Sequence, residues 1–89
     1  MNFEFDHQKS CLNKEKHGID FPEAQYLWLD PARVIIPART LNEPRYLLIA
    51  RFHGTLWSAV FTLRGDVLRI ISVRNTRQNE KEIYQRRGI

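Results

Sequence analysis

The sequence predicts an α+β fold: an antiparallel β-sheet with two N-terminal helices packed on one face and a short C-terminal helix. Three observations carry this. Helix-start and helix-stop signals alternate through residues 6–31, strand-length apolar runs separated by turn residues fill 33–74, and a charged helical stretch follows. Helices that precede a meander of hairpin-linked strands segregate to one face of an antiparallel sheet. Eighty-nine residues suit a single domain, 1–89.

Phe3 and Phe5 alternate with polar neighbours and read as a short first strand. Asp6 can cap a helix over 7–17 with a thin apolar side of Cys11 and Leu12. It should stop at Lys16-His17-Gly18, where glycine takes the left-handed position and cations face the negative helix end. Asp20, Phe21, Pro22 and Glu23 start a second helix: a cap residue, an early proline and an early acid. Its apolar face is Ala24, Leu27 and Trp28, and Leu29-Asp30-Pro31 ends it.

From Pro31 onward the period changes. Residues 33–36 form a β-branched run ended by Pro37, and 45–52 alternate charged and apolar side chains. His53-Gly54 can form a tight hairpin turn into 55–63, and Arg64-Gly65-Asp66 turns the chain again into 67–74. Residues 77–87 read as a charged helix with Ile83 as its main apolar contact.

Composition excludes several classes. Hydrophobic residues at 43% and charged ones at 27% are ordinary for a globular chain and far from a disordered one. No apolar run approaches the roughly 20 residues of a spanning helix, and the first residues lack the order of a signal peptide, so a cytoplasmic protein without membrane contact is expected. Cys11 is the lone cysteine, which fits a reducing compartment. His7, His17 and His53 lack metal-ligand spacing, so neither metal nor cofactor is expected.

The net charge of +4 is unevenly spread. Residues 1–44 carry five basic and seven acidic side chains, whereas 45–77 carry six arginines against Asp66 alone. A guanidinium offers a planar fork of donors matched to phosphate. The second half therefore reads either as a phosphate-binding surface or as a sheet edge dressed with solvated arginines.

Along 55–63 the odd positions Trp57, Ala59, Phe61 and Leu63 are apolar and should face the helices, leaving Ser58, Val60 and Thr62 on the open face. The register of the next strand depends on the turn. A three-residue turn at 64–66 puts Ser72 and Arg74 on the open face, makes Val67, Ile71 and Val73 core, and turns Arg69 toward an acid such as Asp6. A two-residue turn at 65–66 swaps these sets, because a one-residue slip flips every side chain. The three-residue turn is preferred. It gives an open face of hydroxyls and arginines, with Arg64 at one rim and Arg51 nearby.

Two segments resemble the BrnT toxins. One is Phe3, Phe5, Asp6, Lys9, Asn13, Lys16-His17-Gly18, Phe21 and Ala24. The other is Arg69-Ile70-Ile71-Ser72-Val73-Arg74 followed by Glu80 and Tyr84. Their order and separation also match. The resemblance implies a RelE-like fold and a toxin of a type II toxin–antitoxin system that cuts RNA and inhibits translation. It also implies a BrnA-like antitoxin that silences it, through which alone it meets DNA. By that resemblance Arg64 and Arg74 fall where the family's functional, catalytic arginines are expected; the reading of the basic face itself adds Arg51, Thr62, Ser72 and Arg77 as RNA contacts. Departures are Ala50, where the family often has glycine, and Asn75, where it often has a second basic residue. Metal-independent cleavage asks only that the RNA 2′-hydroxyl attack its neighbouring phosphate while donors stabilise the developing charge. The antitoxin is expected to cover the basic open face or its rim.

Overall fold

A computed structural model describes residues 2–39 and 42–86. Among them, β1 (Asn2–Glu4), α1 (His7–His17), α2 (Phe21–Ala24) and a 3₁₀ segment (Gln25–Leu29) come first. They are followed by β2 (Val34–Ala38), β3 (Arg45–Phe52), β4 (Thr55–Arg64), β5 (Val67–Asn75) and α3 (Gln78–Arg86). The fold is α+β, as expected. The sheet order is β1-β5-β4-β3-β2.

The sheet is mixed, not wholly antiparallel. β2 to β5 pair antiparallel through short connections, but β1 runs parallel to β5, Asn2 opposite Val67 and Glu4 opposite Arg69. No hairpin joins these two strands, so chain geometry does not force them to oppose.

The helix ends form as the sequence signals them. Asp6 accepts the Lys9 amide at 3.0 Å, and Gly18 takes φ of +85° as its amide bonds Lys14. Asp20 and Glu23 form a reciprocal capping box. The expected second helix splits, four residues of α-helix tightening into the 3₁₀ segment that delivers Leu27 to the core and Asp30 to β3.

Cys11 and Leu12 do not form α1's buried side; Leu12 is 62% exposed. Ser10 and Asn13 face inward instead, because both satisfy backbone groups there. Ser10 Oγ accepts the Phe21 amide at 3.0 Å. Asn13 donates to the Ile19 carbonyl at 2.8 Å and accepts the Val73 amide at 3.1 Å. β1 pairs only with residues 67–69, so this side chain caps a β5 amide beyond its end.

Phe21, Ala24 and Leu27 pack on the first sheet face, made of Leu48, Ala50, Ala59, Phe61, Leu68, Ile70 and Val73. Burying each large side chain contributes roughly 1.5–3 kcal/mol. Trp28 meets both Phe3 and Phe61 edge-on. The second sheet face is not open throughout. α3 lies on it through Tyr84, which clusters with Leu47 and Ile49. Tyr84, and not Ile83, is this helix's apolar anchor, because only Tyr84 turns toward the sheet. The helix's expected end at residue 87 lies outside the described residues.

The β4–β5 turn has two residues, Gly65 and Asp66, with Arg64 opposite Val67. The three-residue turn is therefore overturned near the turn. Leu68 and Ile70 are core while Val67 and Ile71 are only half-buried, and Arg69 shares a face with Thr62. A β-bulge then places Ile71 as an extra residue between the pairs Phe61–Ile70 and Val60–Ser72. The bulge slips the register by one. Ser72 and Arg74 thus return to the face of Val60 and Ser58, where the other turn would have put them.

Candidate nucleic-acid interface

Arg74 sits opposite Ser58, and its fork grips Glu80 on α3 with two parallel bonds, Nη1 to Oε1 and Nη2 to Oε2, both 2.8 Å. Glu80 also accepts the Arg77 amide at 3.0 Å, as a third-position acid does at a helix start. Ser58 Oγ lies 2.9 Å from Glu80 Oε1 and 3.0 Å from Thr76 Oγ1. It has one proton and the carboxylate can only accept, so Ser58 donates to Glu80 and Thr76 donates to Ser58. The Arg74 guanidinium, aided by the Arg77 and Ser58 bonds, outweighs burial and holds the Glu80 carboxyl down at about 2. At neutral pH Glu80 is an anchor and not a proton acceptor.

Arg51 lies on the same face. Its Nη1 donates to the Gly54 carbonyl at 3.1 Å, and its guanidinium stands 5.8 Å from the Tyr84 ring centre. Asp30 joins the elements behind it. Its carboxylate accepts the Ala32 amide at 2.8 Å, the Arg51 amide at 2.8 Å and the Tyr84 hydroxyl at 2.8 Å. Arg77 is exposed at the start of α3 and Ser72 is half-buried beside Val60. Thr62 is buried, and its hydroxyl donates to the Pro44 carbonyl at 2.6 Å, so it fixes the loop before β3.

Arg64 stands elsewhere. It is six residues from Ser58 along β4, roughly 20 Å at about 3.3 Å per residue. There it lies 3.8 Å from Glu4 and 3.6 Å from Glu43, while Arg69 lies 3.5 Å from the same Glu4 and not on Asp6. The structure thus brings Arg74, Arg51 and Ser58 toward one end of the face and places Arg64 with Arg69 at the other. The arginines line a row; they do not gather around one point.

The residues 5–80 match the family model described as the ribonuclease toxin BrnT of type II toxin–antitoxin systems. The chain belongs to the BrnT family. No curated protein matches it. A type II BrnT toxin implies an antitoxin partner. No helix among the described residues is long and apolar enough to cross a membrane.

Sequence reasoning located this BrnT toxin's arginine-rich face but missed how Glu80 organises it. One signal was present: an acid as the third residue of α3. Lys81, one residue on, carried no signal. Only the packing of α3 against β3 brings it to the same cleft as Arg51.

Proposed function

We propose that this BrnT toxin is a RelE-like, metal-independent endoribonuclease. It cuts RNA in the cytoplasm, inhibits translation and is silenced by a BrnA-like antitoxin that covers the second sheet face. Contact with DNA comes only through that complex. The observation that carries this is the Arg74–Glu80 pair. A guanidinium already fixed by two 2.8 Å bonds loses little side-chain freedom when a phosphate arrives at its remaining edge.

RNA lies along the row from Arg51 and Arg77, past Arg74 and Ser72, toward Arg64. The 2′-oxygen forms a bond to the adjacent phosphorus as the bond to the 5′-oxygen breaks. Solvent takes the 2′ proton and returns one to the leaving oxygen. Arg74 stabilises the charge growing on the phosphate oxygens, an effect for which losing one preorganised donor typically costs about 10²–10³ in rate. Arg64, beyond reach of the same phosphate, assists catalysis by holding the strand further along. Thr62 contributes through the loop it fixes.

A second reading has a specific observation behind it: both terminal nitrogens of Arg74 are engaged by Glu80, so the chain could be a weak nuclease that acts through its antitoxin alone. Expression in a bacterium separates the two. The wild type should arrest growth and fragment RNA, purified protein should cut RNA in excess chelator, and Arg64→Ala with Arg74→Lys should abolish both effects. Unharmed cells with intact RNA would establish the second reading.

A further inference from the structure

The β3–β4 turn and the junction of β5 with α3 enclose a shallow cleft of about 320 Å³, lined by Arg51, Gly54, Thr55, Leu56, Asn75, Thr76 and Lys81. We infer that this cleft is a phosphate subsite that holds the nucleotide next to the one at Arg74, with Lys81 as its principal cation. The inference rests on the RNA-cleaving reading above and fixes where the strand is anchored.

Several features point to a nucleotide phosphate. The lining carries two cations and, among the described residues, no carboxylate. Arg51 is preorganised by the Gly54 carbonyl and the Tyr84 ring, so one edge of its fork is fixed before any ligand binds. The exposed Lys81 has no ion pair among the described residues, in contrast to Lys14, which donates to Glu23 at 2.6 Å. The exposed Thr55 and Asn75 complete the lining as uncharged polar residues. The volume falls at the lower end of the roughly 300–1,000 Å³ of small-ligand sites, room for one nucleotide. Leu56 in the lining shares the second sheet face with Ser58, which pairs with Arg74, so a strand seated here passes on to Arg74.

The test uses the whole chain and a fluorescent six-nucleotide RNA methylated at every 2′-oxygen, which binds but cannot be cut. Anisotropy titrations over a range of salt give the slope of log K against log salt, close to −0.7 for each single-strand phosphate neutralised. Lys81→Ala, at an exposed position, should weaken binding several-fold and flatten the slope by about one phosphate. Lys16→Ala, on α1, should change neither. A Lys81→Ala slope equal to wild type, or an equal loss from Lys16→Ala, overturns the subsite. If Lys81→Ala weakens only a hexaglutamate peptide and not the RNA, the cleft belongs to an acidic protein segment and the subsite is again overturned. Because the probe reports no cleavage, a wild type that binds it through Lys81 but cuts no RNA refutes the nuclease and leaves the subsite standing. Cleavage with an unaltered slope does the reverse.

Discussion

Arg74 and Glu80 face each other fork to fork, two bonds of 2.8 Å joining β5 to α3 at a Glu80 side chain that is only 8% exposed. This pair should control acid stability. The folded-state pKa of Glu80 is depressed from the ordinary 4.5 to about 2, so its stabilisation is complete above pH 4.5 and disappears as pH falls toward 2. The shift corresponds to on the order of 3 kcal/mol. Glu80→Gln should lose about that much at pH 7 in urea unfolding and show a flatter acid limb between pH 4.5 and 2. An unchanged limb in the variant would show that Glu80 is not the group responsible.

Asn13 should rank among the costliest single positions in the helical layer. Its amide serves two buried backbone groups at once, the Ile19 carbonyl and the Val73 amide. Each buried partner left unsatisfied costs about 1–3 kcal/mol. Asn13→Ala should therefore lower unfolding free energy by about 2–4 kcal/mol, and hydrogen exchange at the Val73 amide should accelerate more than at Leu48 in the central strand β3. Equal acceleration at both would point to global loss and not to the local cap.

These two positions show what was legible in the sequence. Cap residues, turn glycines and the α+β order are local signals, and they formed where Asp6, Gly18 and Asp20 marked them. The face of Arg74 was also foreseen, but through a turn that does not exist. A two-residue turn and the bulge at Ile71 together restore the same parity. A bulge leaves no residue-type signature in a run such as Arg69-Ile70-Ile71-Ser72, because it is set by pairing with β4 and not by propensity. The parallel pairing of β1 and the covering of the second face by α3 were likewise hidden. Both join segments more than sixty residues or a whole sheet layer apart, where periodicity carries no information.

Tyr84 should act as the latch of α3. Its hydroxyl donates to Asp30, whose carboxylate also receives the Arg51 amide, so one acid ties the 3₁₀ exit, β3 and α3 together. Burial and the Asp30 bond raise the Tyr84 pKa. A raised folded-state value means this stabilisation is present below the ordinary pKa near 10 and is lost as pH climbs through the folded one. Tyr84→Phe should cost about 1 kcal/mol at neutral pH and soften the alkaline decline in thermal unfolding scans. A variant as stable as wild type with the same alkaline limb would remove the latch.

The separation of Arg64 from Arg74 makes the final prediction. Ala at position 74 would strand the buried Glu80 carboxylate, a change that typically costs 3–5 kcal/mol and confounds folding with catalysis. Arg74→Lys keeps a cation beside Glu80, so the carboxylate is not stranded, and an unfolding curve measured alongside separates the lost second Glu80 bond from the lost phosphate contact. Arg64 is 55% exposed in its side chain, and its ion pairs with Glu4 and Glu43 at 3.6–3.8 Å contribute little to stability, so Arg64→Ala should fold normally. Sites more than about 7–10 Å apart and without shared partners are additive to about 0.3–0.5 kcal/mol. Cleavage rates on one RNA oligonucleotide should therefore multiply: the double variant should be slowed by the product of the two single effects, to within about twofold. A double variant no slower than the worse single one would mean that the two guanidiniums act as a unit on one phosphate, which would require β4 and β5 to rearrange when RNA binds.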